Sequence, residues 1–346
     1  MANSWLERAK REGTPLIDGS CATFIFAGAE APRLLGDFNG WEGHDEAPMD
    51  AAGDGVWVKH LELPADAYVE YIFHVGDERH HDSFNRRRVP NGLGKHNNFC
   101  YMPAARPAAE LKRQANAPTG WLESYKLASG GYLGSRTRRV TLYAPPVEQA
   151  VPLVVVYDGS DYLRLAGLAV IVDNMIAQGQ IEPLALAFID HGNDARTLEY
   201  ACAEATLNFV LMQVLPLARE KLNLVDPLER RGSYGVIGAS MSGLMSLFTG
   251  LRLPQIFGRV VAQSGAYSLD GYDYVVWDLA RSQELASLRV WMDAGSMEYL
   301  AECSRDMSQL LQARGVGCVY REYAGGHNYT VWRNDLPQAL RYLYGI

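Results

Sequence analysis

At 346 residues the chain exceeds an average single domain, so two domains are expected. Its 48% hydrophobic and 21% charged residues are those of a globular protein and exclude a disordered or repeat-array chain. A formal charge of −8 repels phosphate backbones and argues against a nucleic-acid partner.

The first residues, as far as Pro15, are polar and charged and lack the apolar core of a signal peptide. The longest apolar runs, such as 184–189, are far shorter than a membrane span requires. A cytoplasmic protein with no membrane partner is therefore expected. The five cysteines (Cys21, Cys100, Cys202, Cys303, Cys318) are scattered without a CxxC pair. That pattern argues against a disulfide framework and against a structural zinc site.

Residues 20–102 read as short strands punctuated by turns. Residues 23–26 and 56–61 alternate at period two, and 68–75 are β-branched and aromatic. Gly36-Asp37-Phe38-Asn39-Gly40, Gly53-Asp54-Gly55 and Gly76-Asp77 supply turns. Strands at this spacing predict a small β-sandwich over 1–103. Residues 104–120, rich in proline and alanine, read as a linker. The basic cluster Arg86-Arg87-Arg88 reads as a solvated loop.

From Trp121 to Ile346 the pattern changes. Strand-like runs at 140–144, 151–157, 184–189, 234–237, 260–261, 288–292 and 318–323 alternate with helical ones. The helical patterns fall at 162–177, 202–222, 241–251, 299–313 and 331–344. This alternation predicts an α/β domain with a mostly parallel sheet and helices on both faces. Its site is expected at the carboxyl ends of the strands.

The most informative segment is Gly238-Ala239-Ser240-Met241-Ser242-Gly243, where an apolar strand runs straight into a helix. A serine nucleophile needs such a sharp turn, with small neighbours, so that its hydroxyl projects above the sheet. Ser242 occupies a position where the usual pattern has glycine. The Met241 amide opens the helix and is placed to donate to a developing oxyanion. The second donor is expected from the turn Asp158-Gly159-Ser160-Asp161, at Ser160 or Gly159.

An activated serine also needs an imidazole. Of the eight histidines, His191 and His327 lie in the second half. His327 follows the last strand and the last predicted acid, in the order serine, acid, histidine usual for an α/β-hydrolase. His191 precedes the serine. Two carboxylates follow the strand at 288–292: Asp293 at its end and Glu298 on the loop beyond. Glu298 has more freedom to approach His327 and is preferred as the acid, with Asp293 as runner-up.

With these residues placed, the second half resembles the putative esterase family that includes enterochelin esterases, feruloyl esterases, esterase D and the mycolyltransferases. The landmarks are Val155-Val156-Tyr157-Asp158-Gly159, Arg196 with Glu199, Leu215-Pro216, and Gly238 to Gly243. Pro254 to Gly258, Gln263-Ser264-Gly265, Gly295-Ser296-Met297-Glu298 and Gly325-Gly326-His327 complete the set. The resemblance implies Ser240 as nucleophile, Glu298 as acid, His327 as base, and oxyanion amides at Ser160 and Met241. Arg196 is a candidate substrate-binding residue. It further implies a carboxylic-ester hydrolase with a small-molecule ester substrate, siderophore or glycan-linked, and neither metal nor organic cofactor. Acyl transfer on the same triad and an inactive, glycan-binding relative are the alternatives.

The first half resembles the early-set, immunoglobulin-like β-sandwich of carbohydrate-binding-module-48 type. Leu35-Gly36-Asp37-Phe38-Asn39-Gly40-Trp41, Gly55-Val56-Trp57 and Tyr71-Ile72-Phe73 carry the likeness. In glycan-binding relatives exposed tryptophans stack on sugars, which makes Trp41 and Trp57 candidates. Burial in the sandwich is the expected alternative for both.

Overall fold

The computed structural model describes residues 2–42 and 48–346. The chain divides into two compact units. One comprises residues 1–107 together with 295–299 and 322–331; the other comprises 108–294, 300–321 and 332–346.

The first unit is built on two antiparallel sheets. One runs in the order Leu16–Asp18, Cys21–Ala27, Val56–Glu62, Asp50–Gly53. The other runs Arg33–Gly36, Tyr68–Val75, His96–Tyr101, Arg88–Pro90, with Glu78–His80 also on Tyr68–Val75. Period-two alternation gives each sheet an apolar inner face. Phe24 from one sheet meets Tyr71 from the other edge-on, with ring centroids 4.8 Å apart. Ala22, Val69, Phe73 and Cys100 fill the same core.

An N-terminal helix, Ala2–Glu12, precedes the sandwich, where the sequence reading had none. Its Trp5, Leu6 and Ala9 share one face and pack with Leu16, Ile25, Val56 and Val58. Arg86, Arg87 and Arg88 are exposed.

The second unit is built on an eight-stranded sheet. Its order is Trp121–Ala128, Thr137–Ala144, Ala185–Ile189, Leu153–Val156, Tyr234–Ala239, Phe257–Gln263, Arg289–Gly295, Gly317–Tyr323. The first two pairings are antiparallel; those from Ala185–Ile189 to Arg289–Gly295 are parallel. Leu153–Val156, Ala185–Ile189 and Tyr234–Ala239 are buried at every residue, which requires cover on both faces. The main covering helices are Leu168–Ala177, the stretch Glu204–Lys221, Met241–Arg252, Ala301–Ala313 and Tyr329–Tyr344. No single described helix is long and apolar enough to cross a membrane.

The stretch read as a linker is pinned from Ala108 onward. Asn174 Nδ2 donates to the carbonyls of Glu110 (2.7 Å) and Lys112 (2.8 Å). Asp173 accepts from Arg113 at 3.0 Å and from the Gly120 amide at 2.9 Å. These two side chains on one helix satisfy backbone groups that a loose connection would leave to water. The strand that follows, Trp121–Ala128, is largely exposed and lacks the apolar alternation that identifies a strand in sequence.

Candidate active site

Ser240 alone makes the turn between strand Tyr234–Ala239 and helix Met241–Arg252, with φ 60° and ψ −126°. A non-glycine residue there stores about 1–3 kcal/mol of strain, so surrounding bonds must hold it. The Ser240 amide donates to the Gln263 carbonyl at 2.9 Å. Its own carbonyl accepts from Leu244 (3.0 Å) and Ala266 (3.2 Å).

Ser242, fully buried, clamps the turn from inside. Its hydroxyl donates to the Ala239 carbonyl at 2.7 Å and accepts from the Ala239 amide at 2.8 Å. The serine that departs from the usual glycine thus supplies two bonds that a glycine could not. Gly238 is required by space: a Cβ there would lie 2.2 Å from the Ser242 carbonyl oxygen. The Met241 amide lies in the first turn of the helix, where no intrahelical carbonyl is available to it.

The other expected oxyanion turn follows strand Leu153–Val156. Asp158 adopts φ 52°, and Gly159 and Ser160 open a short helical turn directly after it. Asp158 is buried and grips the guanidinium of Arg196 as a fork, Nε to Oδ1 at 2.9 Å and Nη2 to Oδ2 at 2.6 Å. Arg196 also lies over the Tyr200 ring, 5.6 Å from its centroid. The residue read as a substrate-binding candidate therefore braces the turn that carries Gly159 and Ser160.

His327 Nδ1 is hydrogen-bonded to the Glu298 carboxylate through Oε2. The other carboxylate oxygen accepts the Gly295 amide at 2.6 Å. The Glu298 side chain is 2% exposed, whereas that of His327 is 27% exposed. Tyr299 lies stacked on the imidazole at a centroid distance of 6.3 Å. Asp293, the runner-up acid, is fully buried, and its Oδ2 accepts from Gln263 Nε2 and Trp291 Nε1, each at 2.9 Å. The rival His191 uses Nδ1 to accept the Asn193 amide at 3.0 Å, with Asp161 3.8 Å from Nε2.

In sequence Asp37 marks a turn and part of the likeness to an early-set sandwich, with no sign of a place in the site. The structure buries it beside His327. Its carboxylate accepts three hydrogen bonds: Trp41 Nε1 at 3.0 Å, the Glu70 amide at 2.8 Å and Asn328 Nδ2 at 3.1 Å. Burial pushes its pKa up to about 7, against the lowering effect of the Glu70 and Trp41 donors, and the Glu298 charge adds to the rise. Asp37, Arg79, Lys95, Asn97, Tyr299 and His327 line a cavity of about 510 Å³. Trp41 packs by Leu35 and Ile72, and the Trp57 indole donates to the Gly28 carbonyl at 3.0 Å. Among the described residues, no group of three His, Cys, Asp or Glu side chains is placed to hold a metal ion.

Residues 132–343 match the sequence profile of the family described as Putative esterase, and the chain belongs to that family. The iron(III) enterobactin esterase of Dickeya dadantii (strain 3937) is 29% identical over 226 residues, covering 60% of this chain and 51% of that protein. The iron(III) enterobactin esterase of Escherichia coli K12 is 25% identical over 216 residues, 59% of this chain and 53% of that one. The chain thus spans about half the length of these curated relatives.

Among solved structures, the ferric enterobactin esterase of Salmonella typhimurium superposes with a TM-score of 0.78 at 20% identity, covering 93% of each chain. A ferulic acid esterase gives 0.55 at 18% identity, covering 67% of this chain and 99% of its own. At these identities the structural likeness is one of fold.

Proposed function

We propose that the protein is a serine carboxylic-ester hydrolase working through an acyl-enzyme. Ser240 attacks the ester carbonyl as His327 takes its proton. Glu298 fixes the imidazole tautomer and balances the imidazolium. The amides of Met241 and Ser160 receive the tetrahedral oxyanion. His327 then protonates the leaving alcohol, and water repeats the cycle on the acyl-serine. Neither a metal nor an organic cofactor has a part in this scheme. The observation that carries it is the buried Glu298 carboxylate on His327 Nδ1, together with Ser240 held at φ 60° between a strand and a helix.

For the substrate we infer an iron(III)-siderophore ester. Both curated relatives described above bear the name iron(III) enterobactin esterase. The enterobactin esterase fold covers 93% of this chain, sandwich included, against 67% for the ferulic acid esterase. The cations Arg79 and Lys95 in the cavity beside His327 suit an anionic ligand.

The test begins with Ser240→Ala, expected to abolish p-nitrophenyl acetate hydrolysis while leaving the thermal transition in place. Turnover equal to wild type in that variant refutes the nucleophile. A panel of ferric enterobactin, methyl ferulate and acetylated xylan then separates siderophore from plant-glycan esters. A sugar acceptor added to the assay reports acyl transfer.

A further inference from the structure

We propose that Asp37, contributed by the sandwich, is a positioning residue for His327: it anchors the loop that carries the imidazole by holding the residues on either side of it. The inference rests on His327 being the base, as proposed above.

Three independent contacts lead to it. The first is Asn328. Its Oδ1 accepts the Val331 amide at 3.1 Å and so caps the helix Tyr329–Tyr344. That cap fixes the orientation of the carboxamide, and its Nδ2 is delivered to Asp37 Oδ2 at 3.1 Å. The second is Gly326. The backbone there passes so close to the carboxylate that a Cβ would lie 2.3 Å from Asp37 Oδ1. The third is the anchoring of Asp37 itself: the Trp41 indole and the Glu70 amide hold both carboxylate oxygens within the sandwich.

The same loop is clasped at its flanks. The Ala324 carbonyl accepts the Tyr68 amide at 3.0 Å, and Tyr68 Oη is hydrogen-bonded to Thr330 Oγ1 at 3.1 Å. The Met297 amide donates to the Gly325 carbonyl at 3.1 Å, which ties the histidine loop to the loop of Glu298. Glu298 therefore sets the tautomer of the ring, and Asp37 sets the backbone from which the ring projects. A base must be placed to within a fraction of an ångström, and a displacement of about 1 Å costs on the order of a hundredfold in rate.

The experiment measures kcat and KM on p-nitrophenyl acetate for wild type, Asp37→Ala, Asp37→Asn, Asn328→Ala and the double variant Asp37→Ala/Asn328→Ala. Asp37→Ala is expected to lower kcat by about a hundredfold while KM stays within about threefold. Asparagine keeps one oxygen for the Glu70 amide and Asn328 but sets its NH2 against Trp41 Nε1, so Asp37→Asn should recover only part of that loss, about tenfold. If Asp37 acts through Asn328, the double variant loses less than the product of the two single losses, its shortfall below Asp37→Ala being that of the missing helix cap.

A folded Asp37→Ala enzyme with wild-type kcat overturns the proposal, as do losses that multiply in the double variant. Should Asp37→Ala fail to fold, Asp37→Asn and Asn328→Ala decide it: wild-type kcat in both overturns it. His327→Ala separates the two levels. Wild-type turnover there sinks the assignment of the base; an inactive His327→Ala beside fully active Asp37 variants sinks the positioning role alone.

Discussion

Replacing Glu298 by glutamine changes one atom and keeps the shape, which isolates what the carboxylate does. The Gly295 amide donates to Oε1 at 2.6 Å, in a side chain only 2% exposed. The carbonyl oxygen of a glutamine must stay on that amide, because the reverse orientation sets N–H against N–H in a buried site. The NH2 group then faces His327 Nδ1 and forces that nitrogen to accept. The ring proton moves to Nε2, the atom that in the proposed mechanism has to be bare to take a proton from Ser240. A wrong-tautomer substitution of this kind costs about 10⁴ in kcat, or about 5 kcal/mol at about 1.4 kcal/mol per tenfold. Glu298→Ala puts no donor against Nδ1 and leaves the tautomer free, so it should retain more activity than Glu298→Gln. The assay is steady-state hydrolysis of p-nitrophenyl acetate at pH 7.5, with the thermal transition as the folding control. Glu298→Gln within about tenfold of wild type, or Glu298→Ala below Glu298→Gln, refutes the reasoning.

Ser242→Ala removes both bonds to Ala239 in a buried turn and should cost about 1–3 kcal/mol in urea unfolding, with a fall in kcat as the elbow relaxes. An unchanged midpoint would show that the clamp contributes nothing. Asp335 gives a pH signature. Burial pushes its pKa up to about 6, although Arg321 at 2.7 Å lowers it. The folded state thus binds its proton more tightly than the unfolded state. The ionised carboxylate is penalised on folding, and stability attributable to Asp335 is lost as pH rises from about 4 to about 6. Urea midpoints of Asp335→Asn, compared with wild type across that window, should lack this decline; parallel curves would contradict the assignment.

The strand, turn and helix around Ser240 were legible because local pattern alone decides them. Strand 234–239 is an unbroken apolar run, and glycine stands two before the serine. The environment of Asp293 had a readable clue. Trp291 and Asp293 sit two apart on one strand and so share a face, where the indole N–H takes up the carboxylate. The N-terminal helix was readable too, since Trp5, Leu6 and Ala9 fall at helical spacing, but its charges obscured them. The role of Asp37 was not readable. It depends on an approach to Gly326 and Asn328, far along the chain, and no local periodicity encodes such a meeting. The edge strand Trp121–Ala128 escaped for the opposite reason: with little to bury, it carries no apolar alternation.

The unit that contains the sandwich also contains residues 295–299 and 322–331. The sandwich is therefore no detachable accessory. A recombinant swap of residues 1–107 for an unrelated module would deprive Asn328 of its carboxylate mate and Ala324 of its backbone clasp. Over evolutionary time, positions 37, 326 and 328 should drift as a set: a larger side chain at 326 is tolerable only once the aspartate has shrunk or withdrawn.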